Sequence, residues 1–87
     1  MKKNKVFIQL MGREYALLTD QDAGQVQRLA RYVDRKMREV SLTTRAGESM
    51  VPMLTAMTLA GELFGAQDDN TRLKRELAAL QSEQRAE

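Results

Sequence analysis

The hydrophobic positions of the last third of the chain fall into a heptad row. Ala56, Leu59, Leu63, Ala66, Asn70, Leu73, Leu77 and Leu80 follow one another in alternating steps of three and four, the spacing of a coiled-coil seam. Up to Phe64 the flanking positions are apolar as well; beyond it the seam is nearly the only apolar surface. One helix cannot bury its own seam, so these residues are expected to form an oligomer interface. A second stripe, Met50, Met53/Leu54, Met57, Gly61 and Phe64, is expected to pack against the rest of the same chain. Pro is tolerated only in the first turn of a helix, so Pro52 places the start of this long helix between Glu48 and Pro52, and no breaker follows until about Arg85.

The N-terminal half reads differently. Val6, Ile8 and Leu10 alternate with Lys5, Phe7 and Gln9, and after Met11-Gly12-Arg13 the residues Tyr15 and Leu17 share a face. Alternation on both sides of a Gly predicts a β-hairpin over 5–18. Thr19 followed by Asp22 resembles a capping box opening a helix over 20–40. Val26, Leu29, Ala30, Val33, Met37 and Val40 form its apolar face, and Arg28, Arg31, Arg35 and Arg38 take most of the remainder. Residues 41–47 carry no periodicity and read as a loop. The fold class is therefore α+β: a small head, 1–47, made of a hairpin and a helix, followed by a long helix, 48–87, whose first half packs in the head and dimer core and whose second half is a coiled-coil tail.

Composition narrows the chemistry. Among 87 residues there is no Cys and no His, which removes disulfides, thiolate metal sites and the commonest general base. No phosphate-binding Gly-rich motif occurs, and Asp68-Asp69 point in different directions on a helix. An enzyme is not expected, nor is a cofactor or metal. The net charge of +2 is uneven: residues 1–40 hold nine Lys/Arg against five Asp/Glu, and residues 41–87 hold five against seven. A basic head on a mildly acidic stalk suits an acidic partner. The Arg face has three readings: a phosphate-backbone track, a dock for an acidic protein, or a solvated surface. The modest charge and the lack of interleaved aromatics argue against nucleic acid.

No membrane partner is expected. The run Met50 to Phe64 is interrupted by Pro52, Thr55, Thr58 and Glu62 and falls short of the roughly 20 residues a span needs. The short Val6-Phe7-Ile8 run after Lys2, Lys3 and Lys5 is no secretory signal, so a cytoplasmic protein is read. Gly61 and Gly65 are expected to let another element approach closely. Asn70, at an "a" position, is either a register lock or a wet gap in the seam. Lys74 and Gln81 at "e" and Glu76 and Glu83 at "g" flank it with opposite charge.

Three segments in order resemble one family. They are Val6-Phe7-Ile8-Gln9-Leu10-Met11-Gly12-Arg13-Glu14-Tyr15, Leu29-Ala30-Arg31-Tyr32-Val33-Asp34-Arg35-Lys36-Met37-Arg38-Glu39, and Ala56-Met57-Thr58-Leu59-Ala60-Gly61-Glu62-Leu63-Phe64, followed by a coiled-coil tail. Their order and spacing resemble the ZapA (Z-ring-associated protein A) family of bacterial cell division. The resemblance implies a non-enzymatic protein that binds the tubulin-like GTPase FtsZ and crosslinks its protofilaments into bundles at mid-cell. It also implies a dimer, with two dimers pairing through their tails into a tetramer. Arg13 matches the family's turn Arg, implicated in filament binding, with a solvated turn residue as the plain alternative. Arg31, Arg35, Arg38 and Arg45 join it by charge and expected exposure. The seam makes no apolar step after Leu80, where Gln84 follows, so the expected tetramer rests on fewer contacts than the dimer. The rival readings are a small dimeric nucleic-acid-binding protein of the ribbon-helix-helix type and a generic coiled-coil adaptor.

Overall fold

The computed structural model describes residues 3–45 and 47–85. Residues 1–2 and 46 of the expected head and 86–87 of the expected tail lie outside the described residues. Two strands, β1 (Asn4–Leu10) and β2 (Arg13–Thr19), precede helix α1 (Ala23–Thr43); a 3-10 turn (Glu48–Met50) then leads into helix α2 (Val51–Arg85). The chain divides into two compact units after Thr55 rather than after Gly47. The reason is burial: Val51 and Thr55, in the first turns of α2, are both buried.

The strands pair antiparallel in a register running from Asn4↔Thr19 to Leu10↔Arg13, which leaves Met11-Gly12 as a two-residue turn. Both turn residues have positive φ, 54° and 78°. That is the requirement of a type I′ turn, whose twist matches the flanking strands. Gly12 meets it freely, but Met11 carries a Cβ, and the left-handed region costs such a residue about 1–2 kcal/mol. An outside contact offsets that cost: the Met11 N–H donates to Asp34 Oδ1 at 2.7 Å.

Val6 and Ile8, on one face of β1, pack against Val26 and Ala30 of α1 with Leu10 at the edge of the cluster. Gln27 Nε2 also donates to the Phe7 carbonyl, tying α1 to β1. Because the helix lies on β1, the inward face of β2 is only partly covered, and Tyr15 and Leu17 are 44% and 41% exposed. Leu29, expected in the apolar face of α1, is 48% exposed for the same reason. It borders a shallow groove with Leu17, Val26 and Val33.

Helix α1 is shifted along the chain by three residues from the 20–40 expected, starting at Ala23 and ending at Thr43. The N-cap is Asp22, whose Oδ2 accepts from the Gln25 N–H at 3.2 Å. Thr19 instead accepts from the Gln21 N–H at 3.1 Å, so it closes a local turn before the helix rather than a capping box. At the far end Ser41–Thr43 stay helical. Thr43 Oγ1 donates to the Glu39 carbonyl at 3.0 Å and Thr44 Oγ1 to the Val40 carbonyl at 2.8 Å. The Thr44 N–H also donates to the Val40 carbonyl, at 3.0 Å, so the hydroxyls add second donors to carbonyls of the last turn.

The start of α2 falls where Pro52 required it, with Pro52 in the first turn. The face buried in the head unit is Val51 and Thr55, not the methionine stripe: Met50 and Met53 are 42% and 51% exposed. Thr55 hides its hydroxyl by donating to the Val51 carbonyl at 2.7 Å. Among the described residues no helix is long and apolar enough to cross a membrane.

Candidate functional site

Two surfaces carry the expected site residues, one on each unit. On the head, the register places Arg13 at the first position of β2, directly after the turn and on the same face as Leu10 and Tyr15. Its side chain is exposed and lines a groove with Leu10, Met37, Val51 and Pro52, with Glu48 at the rim. The position of Arg13 thus depends on how the turn is held.

The turn is held by Asp34. One carboxylate oxygen takes the Met11 N–H; the other accepts from Arg38 Nε at 3.1 Å. The Met11 N–H and then the Arg38 guanidinium hold the Asp34 carboxyl below the usual carboxylate range, because both contacts favour the ionised form. Arg38, expected as a partner contact, gives its Nε to Asp34 while its side chain stays 59% exposed. Its i,i+4 spacing from Asp34 permits the pair.

Arg31 and Arg35 lie together on the solvent face of α1, where Arg28, Gln25, Leu29 and Tyr32 complete the lining of a shallow depression. No carboxylate lines it. The Arg35 guanidinium stands 5.1 Å from the centre of the Tyr32 ring, and Lys36 Nζ 5.6 Å from it, distances at which a cation is drawn to the ring face. Arg28, part of the Arg face read from the sequence, belongs to this patch as well. Arg45 is exposed on the segment after α1. The candidates therefore do not form one cluster: Arg31 and Arg35 share a patch, Arg13 lines a different groove, and Arg38 is engaged by Asp34.

The second surface is the seam of α2, described by itself. Every described residue from Gly61 to Gln84 is exposed in the single chain, with Leu63, Leu73, Leu77 and Leu80 between 54% and 59%. Leu59 is half-buried; Ala66 and Asn70 are exposed in the same row. A Cβ built on Gly61 or Gly65 meets no atom within 4 Å, so the close approach expected there does not occur within the chain. Glu76, expected to flank the seam toward a partner, is reached by Arg72 of its own helix at 3.9 Å, and Arg72 also meets Asp69 at 3.6 Å. Among the described residues no group of acidic side chains is arranged to hold a metal ion.

Comparison with known proteins agrees with this architecture. Proteins described as "Cell division protein ZapA" from Bacillus thuringiensis (strain Al Hakam) and Bacillus anthracis are each 24% identical over 74 residues, covering 84% of this chain and 83% of theirs. A solved structure described as a ZapA mutant dimer from Geobacillus stearothermophilus superposes with a TM-score of 0.66 at 24% identity, covering 88% of this chain and 91% of that one. The family model described as "Cell division protein ZapA" matches residues 6–87, nearly the whole length. The chain belongs to the ZapA family of cell division proteins.

Proposed function

We propose that this protein crosslinks FtsZ protofilaments into bundles at the cytoplasmic mid-cell division site, as a homodimer or tetramer, with no enzymatic step and no cofactor. The observation that carries the reading is the exposed heptad row of α2 joined in sequence to a basic head. Burying an exposed Leu side chain contributes roughly 1.5–3 kcal/mol, and Leu63, Leu73, Leu77 and Leu80, exposed in the single chain, gain that against another copy, with Leu59 and Ala66 completing the row. Asn70 then pairs across the seam and sets the register. Association multiplies the heads, and a particle with two or more heads bridges filaments because the first contact raises the effective concentration of filament at the second.

Arg13 is the leading filament contact in this reading, with Arg31, Arg35 and Arg45 adding positive charge; Arg38 contributes through Asp34. Self-association is supported by the seam and by the dimer described for the Geobacillus protein. Two measurements test the proposal. Light scattering gives the solution mass, expected at twice or four times the chain. Pelleting with polymerised FtsZ gives bundling, expected to fall sharply in Arg13→Glu at unchanged mass and helicity. A stable monomer at micromolar concentration, or full bundling by Arg13→Glu, overturns the corresponding part.

A further inference from the structure

The Met11–Asp34 contact is unusual in what it joins. Met11 is the one non-glycine residue with positive φ among the described residues, and it sits at the tip of a hairpin. In a two-residue turn the first turn amide has no partner in the strand ladder. Here that amide is taken up at 2.7 Å by a carboxylate 23 residues away, a charge-assisted bond of the short, strong kind. The same carboxylate is braced from its other side by Arg38 at 3.1 Å. Its side chain is 26% exposed, so water competes for it less than for a free surface group. The three groups form a line: Arg38 fixes the carboxylate, the carboxylate fixes the turn amide, and two residues on stands Arg13.

From this geometry we infer that Asp34 is a positioning residue for the hairpin turn, holding Arg13 in the orientation in which it meets the filament. The inference rests on the reading of Arg13 as a filament contact. Asp34 touches no partner itself. Its charge is spent on Met11 and Arg38, and its effect on binding passes through the backbone of the turn.

The experiment uses the full chain and three variants, Asp34→Ala, Asp34→Asn and Arg13→Ala, with two readouts. The first is exchange of the Met11 amide proton by NMR, which reports the anchor without any partner. Asp34→Ala is expected to speed it at least tenfold while amides of the α1 core keep their protection. Asp34→Asn retains an amide oxygen as acceptor and is expected to keep most of the protection. The second readout is bundling in the pelleting assay. Asp34→Ala is expected to fall to the level of Arg13→Ala at unchanged mass, and Asp34→Asn to recover at least half.

An unchanged Met11 exchange rate in Asp34→Ala overturns the anchor. So does full bundling by Asp34→Ala while Arg13→Ala is impaired. Full bundling by Arg13→Ala instead refutes the reading of Arg13, and the exchange data still decide the anchor. If Asp34→Ala does not fold, Asp34→Glu replaces it, keeping the charge but displacing the acceptor by one methylene; full bundling with an unprotected Met11 amide then overturns the proposal.

Discussion

The Oδ2 of Asp22 lies 3.0 Å from the point where a Cβ on Gly24 would sit, so the N-cap carboxylate occupies the space that a side chain at residue 24 needs. Gly inside a helix ordinarily costs about 1 kcal/mol relative to Ala. Here Gly24→Ala is expected to be nearly neutral, because the new methyl pushes aside a cap worth about 1 kcal/mol. In an Asp22→Ala background the same change is expected to recover the full gain of about 1 kcal/mol. A double-mutant cycle by urea denaturation at fixed protein concentration checks this; additive effects contradict it.

Met11→Asn is expected to stabilise the fold by about 0.5 kcal/mol. Asn tolerates positive φ better than Met, creates the favoured Asn-Gly pair and keeps the N–H that Asp34 accepts. The measurable result is a higher urea midpoint with an unchanged slope.

Asp34 carries a pH signature. Its folded pKa is depressed by Met11 and Arg38, so its contribution is fully present above the unfolded value of about 3.9 and disappears as pH falls through the lower folded value. Wild type is expected to exceed Asp34→Asn in stability by a constant margin from pH 7 to 5, with the gap closing below about pH 4. Denaturation of both proteins across that range decides it.

The hairpin was legible because Val6, Ile8 and Leu10 alternate cleanly, and the long helix because Pro52 marks a start and nothing after it breaks the pattern. The ends of α1 were not. Thr19 and Asp22 are both plausible caps, and only geometry shows the carboxylate of Asp22 reaching the Gln25 N–H while Thr19 closes a turn of its own. The extra helical residues Ser41–Thr43 are closed by the Thr44 N–H on the Val40 carbonyl, with the Thr43 and Thr44 hydroxyls turned back onto the same turn, which no periodicity announces. Leu29 looked like core because its spacing is right; it is half-exposed because α1 sits over β1. Arg13 stood out through the family's turn motif. The hold of Asp34 on the turn did not, since it is made across 23 residues of chain.

Leu77→Glu places a charge in the seam and is expected to lower the assembly from tetramer to dimer. Light scattering reads the halved mass, and circular dichroism is expected to show the head intact. An unchanged mass refutes a role for this part of the seam.

Arg35 and Arg38 are expected to separate. A paired Arg31→Glu/Arg35→Glu variant reverses the charge of a patch with no carboxylate in its lining, so bundling is expected to fall several-fold, most clearly at low salt, where surface charge is least screened. Arg38→Ala breaks an exposed i,i+4 pair worth about 0.3–0.5 kcal/mol and is expected to reduce bundling far less. Salt-dependent pelleting of the two variants distinguishes them.

The distance in sequence between the turn and its anchor bears on how the chain matures. Translation delivers both strands before residue 34 leaves the ribosome, and a lone hairpin is marginal in water. The hairpin is thus completed late, waiting on a helix that emerges after it.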